Sequence, residues 1–136
     1  MAVDQQSWAP EWEVFPDPQT GVRVTRLTSA DCINHPLYYL TNSFSSDGRW
    51  LVFASDRAGK MDLYKVSLEN GEIQRLTDLE GLQPFSGNVV DDRVYFATDG
   101  RVHELELASG NARVVVERPG CGLGEVTVSC DRQQVA

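Results

Sequence analysis

The chain has only two histidines, and His35 is the one whose neighbours suggest chemistry. It sits in "CINHPLYY" (32–39), with Cys32 before it and the adjacent pair Tyr38 and Tyr39 just after it. An imidazole can hydrogen-bond a hydroxyl and, when protonated, pair with a carboxylate. A tyrosine ring offers an apolar face with a polar tip, which suits a sugar ring. His35, Tyr38 and Tyr39 are therefore the candidate ligand-binding set, for a sugar or a carboxylate. In a strand, adjacent residues face opposite sides, so at most one of the two tyrosines would serve the ligand and the other would pack. The competing reading is structural: a histidine that fixes a loop by hydrogen bonds.

Other candidates carry less. Cys32, Cys121 and His35 lack the spacing of a metal-ligand set, and no metal ligands are expected here. Arg57, in "SDR", has the fork geometry to grip a carboxylate, but it also sits where a turn needs it. Asp91 and Asp92 could look like the paired acids of a hydrolase. They fall between two apolar runs, where a solvated hairpin turn is the simpler account. "GCGLGE" (120–125) lacks the lysine and the following helix of a phosphate loop, and reads as a connection.

These residues are set in a repeated pattern. "SSDGRWLVFASDR" (45–57) is a turn, an apolar strand and a second turn. "LVFASDRAGKMDLYKVSLENGEIQRLT" (51–77) and "VYFATDGRVHELELASGNARVVV" (94–116) then run through the same order of strands and glycine turns. Phe53 aligns with Phe96, Tyr64 with His103 and Gly71 with Gly110; the length difference is confined to one turn, as a true repeat requires. On this alignment His103 occupies a slot for a bulky, partly buried ring and is structural. Asp131 matches Asp47, two repeats on, and "QTGVRVTRLT" (19–28) resembles "ENGEIQRLT" (69–77). A period of roughly 40–45 residues, built of alternating strands and short turns, fits the four-stranded blade of a propeller. A β-sandwich also has short, closely spaced strands, but it gives no reason for strand triplets to recur in register.

The expectation is an all-β chain: a partial β-propeller with two full four-stranded blades and parts of two others. Strands are expected near 22–28, 38–44, 50–55, 62–68, 72–77, 86–90, 93–98, 101–107, 111–117 and 124–129. Residues 1–18, with Pro10, Pro16 and Pro18, read as an extended lead-in, and 19–136 as the propeller part, ending within a blade. Propellers close into rings because an open ring leaves strand edges unpaired, so the chain is expected to be the N-terminal part of a longer protein.

Composition narrows the function classes. A formal charge of −8 argues against a nucleic-acid groove and against anionic lipid, and no apolar run is long enough to span a bilayer. It does not exclude an acidic sugar, since a local pocket can override net charge. The N-terminus has neither the basic start nor the apolar core of a signal peptide, and three cysteines without paired spacing read as reduced thiols; a cytoplasmic protein is expected.

Two family resemblances follow. "FSSDGRWLVFASDRAGKMDLYKVSLENGEIQRLTD" (44–78) resembles the blade repeat of TolB-type propellers, which speaks for the fold and little for function. "DPQTGVRVTRLTSADCINHPLYYLTNSFSSDGRWLVFAS" (17–55) is similar to the start of oligogalacturonate lyases, through Thr20-Gly21, Val24 to Thr28, Cys32, His35, Tyr38-Tyr39 and Asp47-Gly48. The second resemblance implies a seven-bladed propeller that degrades pectin fragments, cleaving oligogalacturonate by β-elimination. It also implies a manganese-type ion, held by histidines and a glutamine, beside a catalytic histidine. No position of this chain matches that motif, so the chemistry is expected beyond Ala136 and the chain alone is expected to be inactive. The alternatives are a TolB-like binding or scaffold propeller without catalysis, and the propeller domain of a peptidase or hydrolase.

Overall fold

A computed structural model describes residues 6–136, with strands and turns but no helix among them. In chain order the strands are β1 (Ser7–Trp8), β2 (Glu13–Pro16), β3 (Arg23–Arg26), β4 (Asn34–Pro36), β5 (Trp50–Ser55), β6 (Asp62–Ser67), β7 (Ile73–Arg75), β8 (Asn88–Val90), β9 (Arg93–Thr98), β10 (Arg101–Glu106) and β11 (Ala112–Glu117). They form three antiparallel sheets: β1-β7-β6-β5-β4, β11-β10-β9-β8, and the hairpin β2-β3. The first two are consecutive blades of the expected propeller. Each meanders from an inner strand outwards.

The repeat holds at the level of single hydrogen bonds. Phe53 lies across from Tyr64 in the first blade, and Phe96 lies across from His103 in the second. At the outer turns the Ser67 amide donates to the Glu72 carbonyl and the Gly71 amide to the Ser67 carbonyl. Glu106, Asn111 and Gly110 repeat this pattern. Gly71 has φ +79° and Gly110 +72°, which a side chain would make strained. The Ser45–Trp50 turn reappears as Ser129–Gln134: each serine hydroxyl donates to the aspartate two residues on, at 2.7 and 2.6 Å.

Alternation decides which face each side chain meets. Val52, Ala54 and Leu63 of the first blade pack with Val89, Val94, Phe96, Leu105 and Leu107 of the second, with Leu37 and Leu76 completing the layer. This interblade core is the largest apolar cluster. The first blade's other face gathers Phe53, Tyr64, Val66 and Ile73 under Trp8, Leu27 and Leu51. The second blade's other face carries Tyr95, Ala97, Val102 and Val126.

Three expectations need correction. The stretch expected as an extended lead-in contributes strands: Ser7–Trp8 pairs with Gln74 and Ile73 at the outer edge of the first blade, and Glu13–Pro16 pairs with Arg23–Arg26. Residues 38–44 are not a strand. The inner strand is Asn34–Pro36; it leaves the ladder after Pro36 and rejoins it at Phe44, which bridges Leu51. Finally, 124–129 is not a continuous strand, and only Val128 bridges to Val135.

Candidate functional site

The interruption of the first inner strand has a definite cause. Leu37 is fully buried in the interblade core, on the face that strand alternation already gives it, so the break lies in what the backbone after it bonds to. The Thr41 hydroxyl donates to the Gly87 carbonyl at 2.8 Å, and the Asn42 side chain donates to the Val89 carbonyl at 3.1 Å. The Val89 amide returns a bond to the Asn42 carbonyl. These contacts fasten the loop to the inner strand of the next blade and away from β5. Gly87 permits the approach, since a Cβ there would lie 2.8 Å from Leu37 Cδ2. A third inner segment joins through the Val126 amide, which donates to the Ser86 carbonyl.

His35 stands at the start of this arrangement. Its Nδ1 lies 2.8 Å from the Pro36 carbonyl, which can only accept, so Nδ1 carries the proton. The ring stacks on Phe85, with centroids 4.5 Å apart and planes 24° apart. Phe85 is 55% exposed, an apolar ring held open to solvent at the beginning of the second inner segment. The opposing-face expectation for the tyrosines does not hold, because they lie in a loop. Their rings meet at 4.4 Å, and Tyr39 is 79% exposed. The Tyr39 phenol beside it, with lesser help from the Glu125 charge, raises the Tyr38 hydroxyl above its usual range.

Tyr38, Gln83, Pro84, Phe85, Ser86 and Glu125 surround an open cavity of about 240 Å³. Its walls come from three successive inner segments, so it lies at the hub end of the blades. His35 instead lines a second cavity of about 260 Å³, with Pro36, Leu51, Phe53 and Leu27. Sequence reasoning singled out His35, Tyr38 and Tyr39: the two tyrosine rings meet each other and Tyr38 lines the first cavity with Phe85, while His35 stacks on Phe85 and lines the second cavity. It missed Phe85, whose signal was an aromatic residue in a Pro-Phe-Ser-Gly stretch between strands.

The remaining candidates are structural. Arg57 is 3% exposed at its side chain. It donates to Glu11 Oε1 at 2.8 Å, Asn34 Oδ1 at 2.9 Å and Ser55 Oγ at 3.2 Å, and it lies over the rings of Trp8, Phe53 and Tyr64. All three guanidinium nitrogens are engaged and the group is buried, out of reach of a substrate carboxylate. Burial alone would raise Glu11, but the amides of Ser29 and Ala30 together with Arg57 hold its carboxyl below the usual range. His103 Nε2 meets Thr98 Oγ1 at 2.8 Å, its ring stacks on Phe96, and burial lowers its pKa. Asp91 and Asp92 both adopt positive φ in the turn between β8 and β9.

A family model for oligogalacturonate lyase matches residues 3–133. The chain belongs to the oligogalacturonate lyase family. It is 27% identical over 116 residues to an oligogalacturonide lyase of Pectobacterium atrosepticum, covering 83% of this chain and 30% of that protein. A solved oligogalacturonate lyase in complex with manganese superposes with a TM-score of 0.84 at 28% identity, over 97% of this chain and 36% of its own. The oligogalacturonate lyase of Vibrio parahaemolyticus gives 0.87 at 25% identity, over 98% and 37%. TolB of Acinetobacter baumannii shares the fold alone, with a TM-score of 0.53 at 16% identity, over 96% and 48%. The chain spans about a third of the length of the lyases it matches.

The described residues do not make a manganese site. Among the described residues no three of His, Cys, Asp or Glu come together. Near His35, the Cys32 thiol is taken up by Asn34 and Ser55, and the imidazole is held by Pro36 and Phe85.

Proposed function

We propose that the full-length protein carrying this chain is a pectin-degrading lyase that cleaves oligogalacturonate by metal-assisted β-elimination, and that this chain helps to hold the saccharide. The observation that carries this reading is the superposition on a manganese-bound oligogalacturonate lyase over almost the whole of the chain. β-Elimination on a galacturonate ring removes the proton α to the carboxylate and expels the glycosidic oxygen from the neighbouring carbon. It needs a base and a positive counterpart for the developing charge. In this reading Tyr38, Tyr39 and Phe85 offer aromatic faces to a sugar ring, and His35, with its proton on Nδ1, offers Nε2 as an acceptor for a sugar hydroxyl. No step of the elimination is assigned to them. The three thiols are unbridged, which supports a reducing, cytoplasmic setting.

Turnover of digalacturonate tests the reading. The full-length protein with manganese should consume it and release an unsaturated or keto sugar acid, while this chain alone should release none. No turnover by the full-length protein at any divalent metal supplied would overturn the assignment.

A further inference from the structure

The connection that leaves the second blade, "GCGLGE" (120–125), ends in a carboxylate at the hub. Glu125 is exposed, but its neighbour Val126 is buried and donates its amide to the Ser86 carbonyl. Asn88 donates in turn to the Val126 carbonyl, at 3.4 Å. The backbone of Glu125 is therefore held in place on the wall of the cavity of about 240 Å³, in company with Tyr38 and Phe85.

The polar groups of this cavity are of one kind. The Ser86 hydroxyl is consumed inside the fold, donating to the Gln83 carbonyl at 2.6 Å and accepting the Ala97 amide at 2.8 Å. The Gln83 side-chain nitrogen is turned to Gly81 and Asp99. What stays open is the Tyr38 hydroxyl and the Glu125 carboxylate, whose charge helps to keep that hydroxyl protonated. No lysine, arginine or histidine is among the described residues that line the cavity.

A galacturonate unit has two unlike edges. In a chain linked through C1 and C4, the free hydroxyls of an internal ring are at C2 and C3, and the carboxylate on C5 lies across the ring from them. A hydroxyl donates to a carboxylate in a charge-assisted bond. A uronate carboxylate set beside Glu125 instead meets a like charge, with no cation to neutralise either. Stacking on the Phe85 ring suits both orientations, so the choice of edge falls to Glu125.

We propose that the cavity formed by Tyr38, Phe85 and Glu125 takes one galacturonate unit by its C2–C3 hydroxyl edge, with the Glu125 carboxylate as acceptor. The carboxylate of that unit, and the C5 proton beside it, then point away from these loops. His35 has the same polarity, since its Nε2 can only accept while Nδ1 holds the proton against Pro36. The inference rests on the saccharide reading above and adds the edge by which the sugar is held.

Calorimetric titration of the full-length protein with digalacturonate, with manganese withheld so that binding is read without turnover, tests it. Glu125→Ala should raise the dissociation constant about tenfold, the lower range for one hydrogen bond to a charged acceptor. Glu125→Gln keeps an acceptor oxygen and should raise it only about threefold. Both variants should melt within about a degree of the parent, as substitutions at an exposed position do. Equal affinity in all three proteins would overturn the inference. So would tighter binding by either variant, which would mean that the cavity receives a carboxylate, or a parent that binds no digalacturonate. Turnover with manganese is scored separately: a parent that binds digalacturonate but never cleaves it sinks the lyase reading, while the ranking of the variants still judges the edge.

Discussion

The Leu37 side chain rests so closely on Gly87 that a Cβ at that glycine would lie 2.8 Å from Leu37 Cδ2 and 3.2 Å from Cδ1. The contact joins the interrupted inner strand of one blade to the inner strand of the next. It also sets where the loop carrying Tyr38 and Tyr39 can lie. Gly87→Ala must push Leu37 out of a filled core, which costs about 1–3 kcal/mol as overpacking. Urea denaturation should show that loss, and the displaced loop should weaken saccharide binding as well.

The Arg57 guanidinium is buried among three aromatic rings and pairs with Glu11, whose side chain is 15% exposed. Arg57→Ala leaves the Glu11 carboxylate with only the Ser29 and Ala30 amides, in a site that has lost its cation. Removing one partner of a buried pair costs about 3–5 kcal/mol. Denaturant midpoints should show a loss of that order. The Glu11→Gln, Arg57→Leu double variant should recover part of it, because no charge remains buried.

His103 gives the stability a pH dependence of known sign. Burial lowers its pKa from the ordinary 6.5, so the unfolded chain binds the proton more tightly than the folded one. Stability is then full above that ordinary value and falls as pH drops through it, until the folded imidazole also titrates. His103→Tyr installs the residue that the first blade carries at the equivalent position, Tyr64. Thermal melts from pH 7.5 down to 5, about the window set by the ordinary histidine value, should show a flatter decline for this variant. An unchanged decline would assign the sensitivity to other groups.

The blade was legible because its signals are local. "DG" and "NG" turns, strand alternation and the Phe53/Phe96 spacing fixed β5, β6, β9 and β10 to within a residue. The same alternation misled at 38–44. A Tyr-Tyr run next to Leu and Thr reads as a strand, but the backbone there follows bonds to Gly87 and Val89 of another blade, which no local pattern encodes. The lead-in was missed for a similar reason: Ser7 and Trp8 become a strand only because β7 offers an edge. At the site, His35, Tyr38 and Tyr39 could be singled out from residue types alone. Phe85 was not, because its partner is 4.5 Å away in space and in another blade.

The central claim is that the hub ends of these inner strands hold saccharide while the bond-breaking groups lie elsewhere. Steady-state kinetics of full-length Phe85→Ala on digalacturonate tests it most directly. Loss of one stacked aromatic surface should raise KM several-fold, a change on the order of 1 kcal/mol, with kcat within about twofold of the parent. A variant whose kcat collapses while KM stays put, or one with both constants unchanged, would contradict the account.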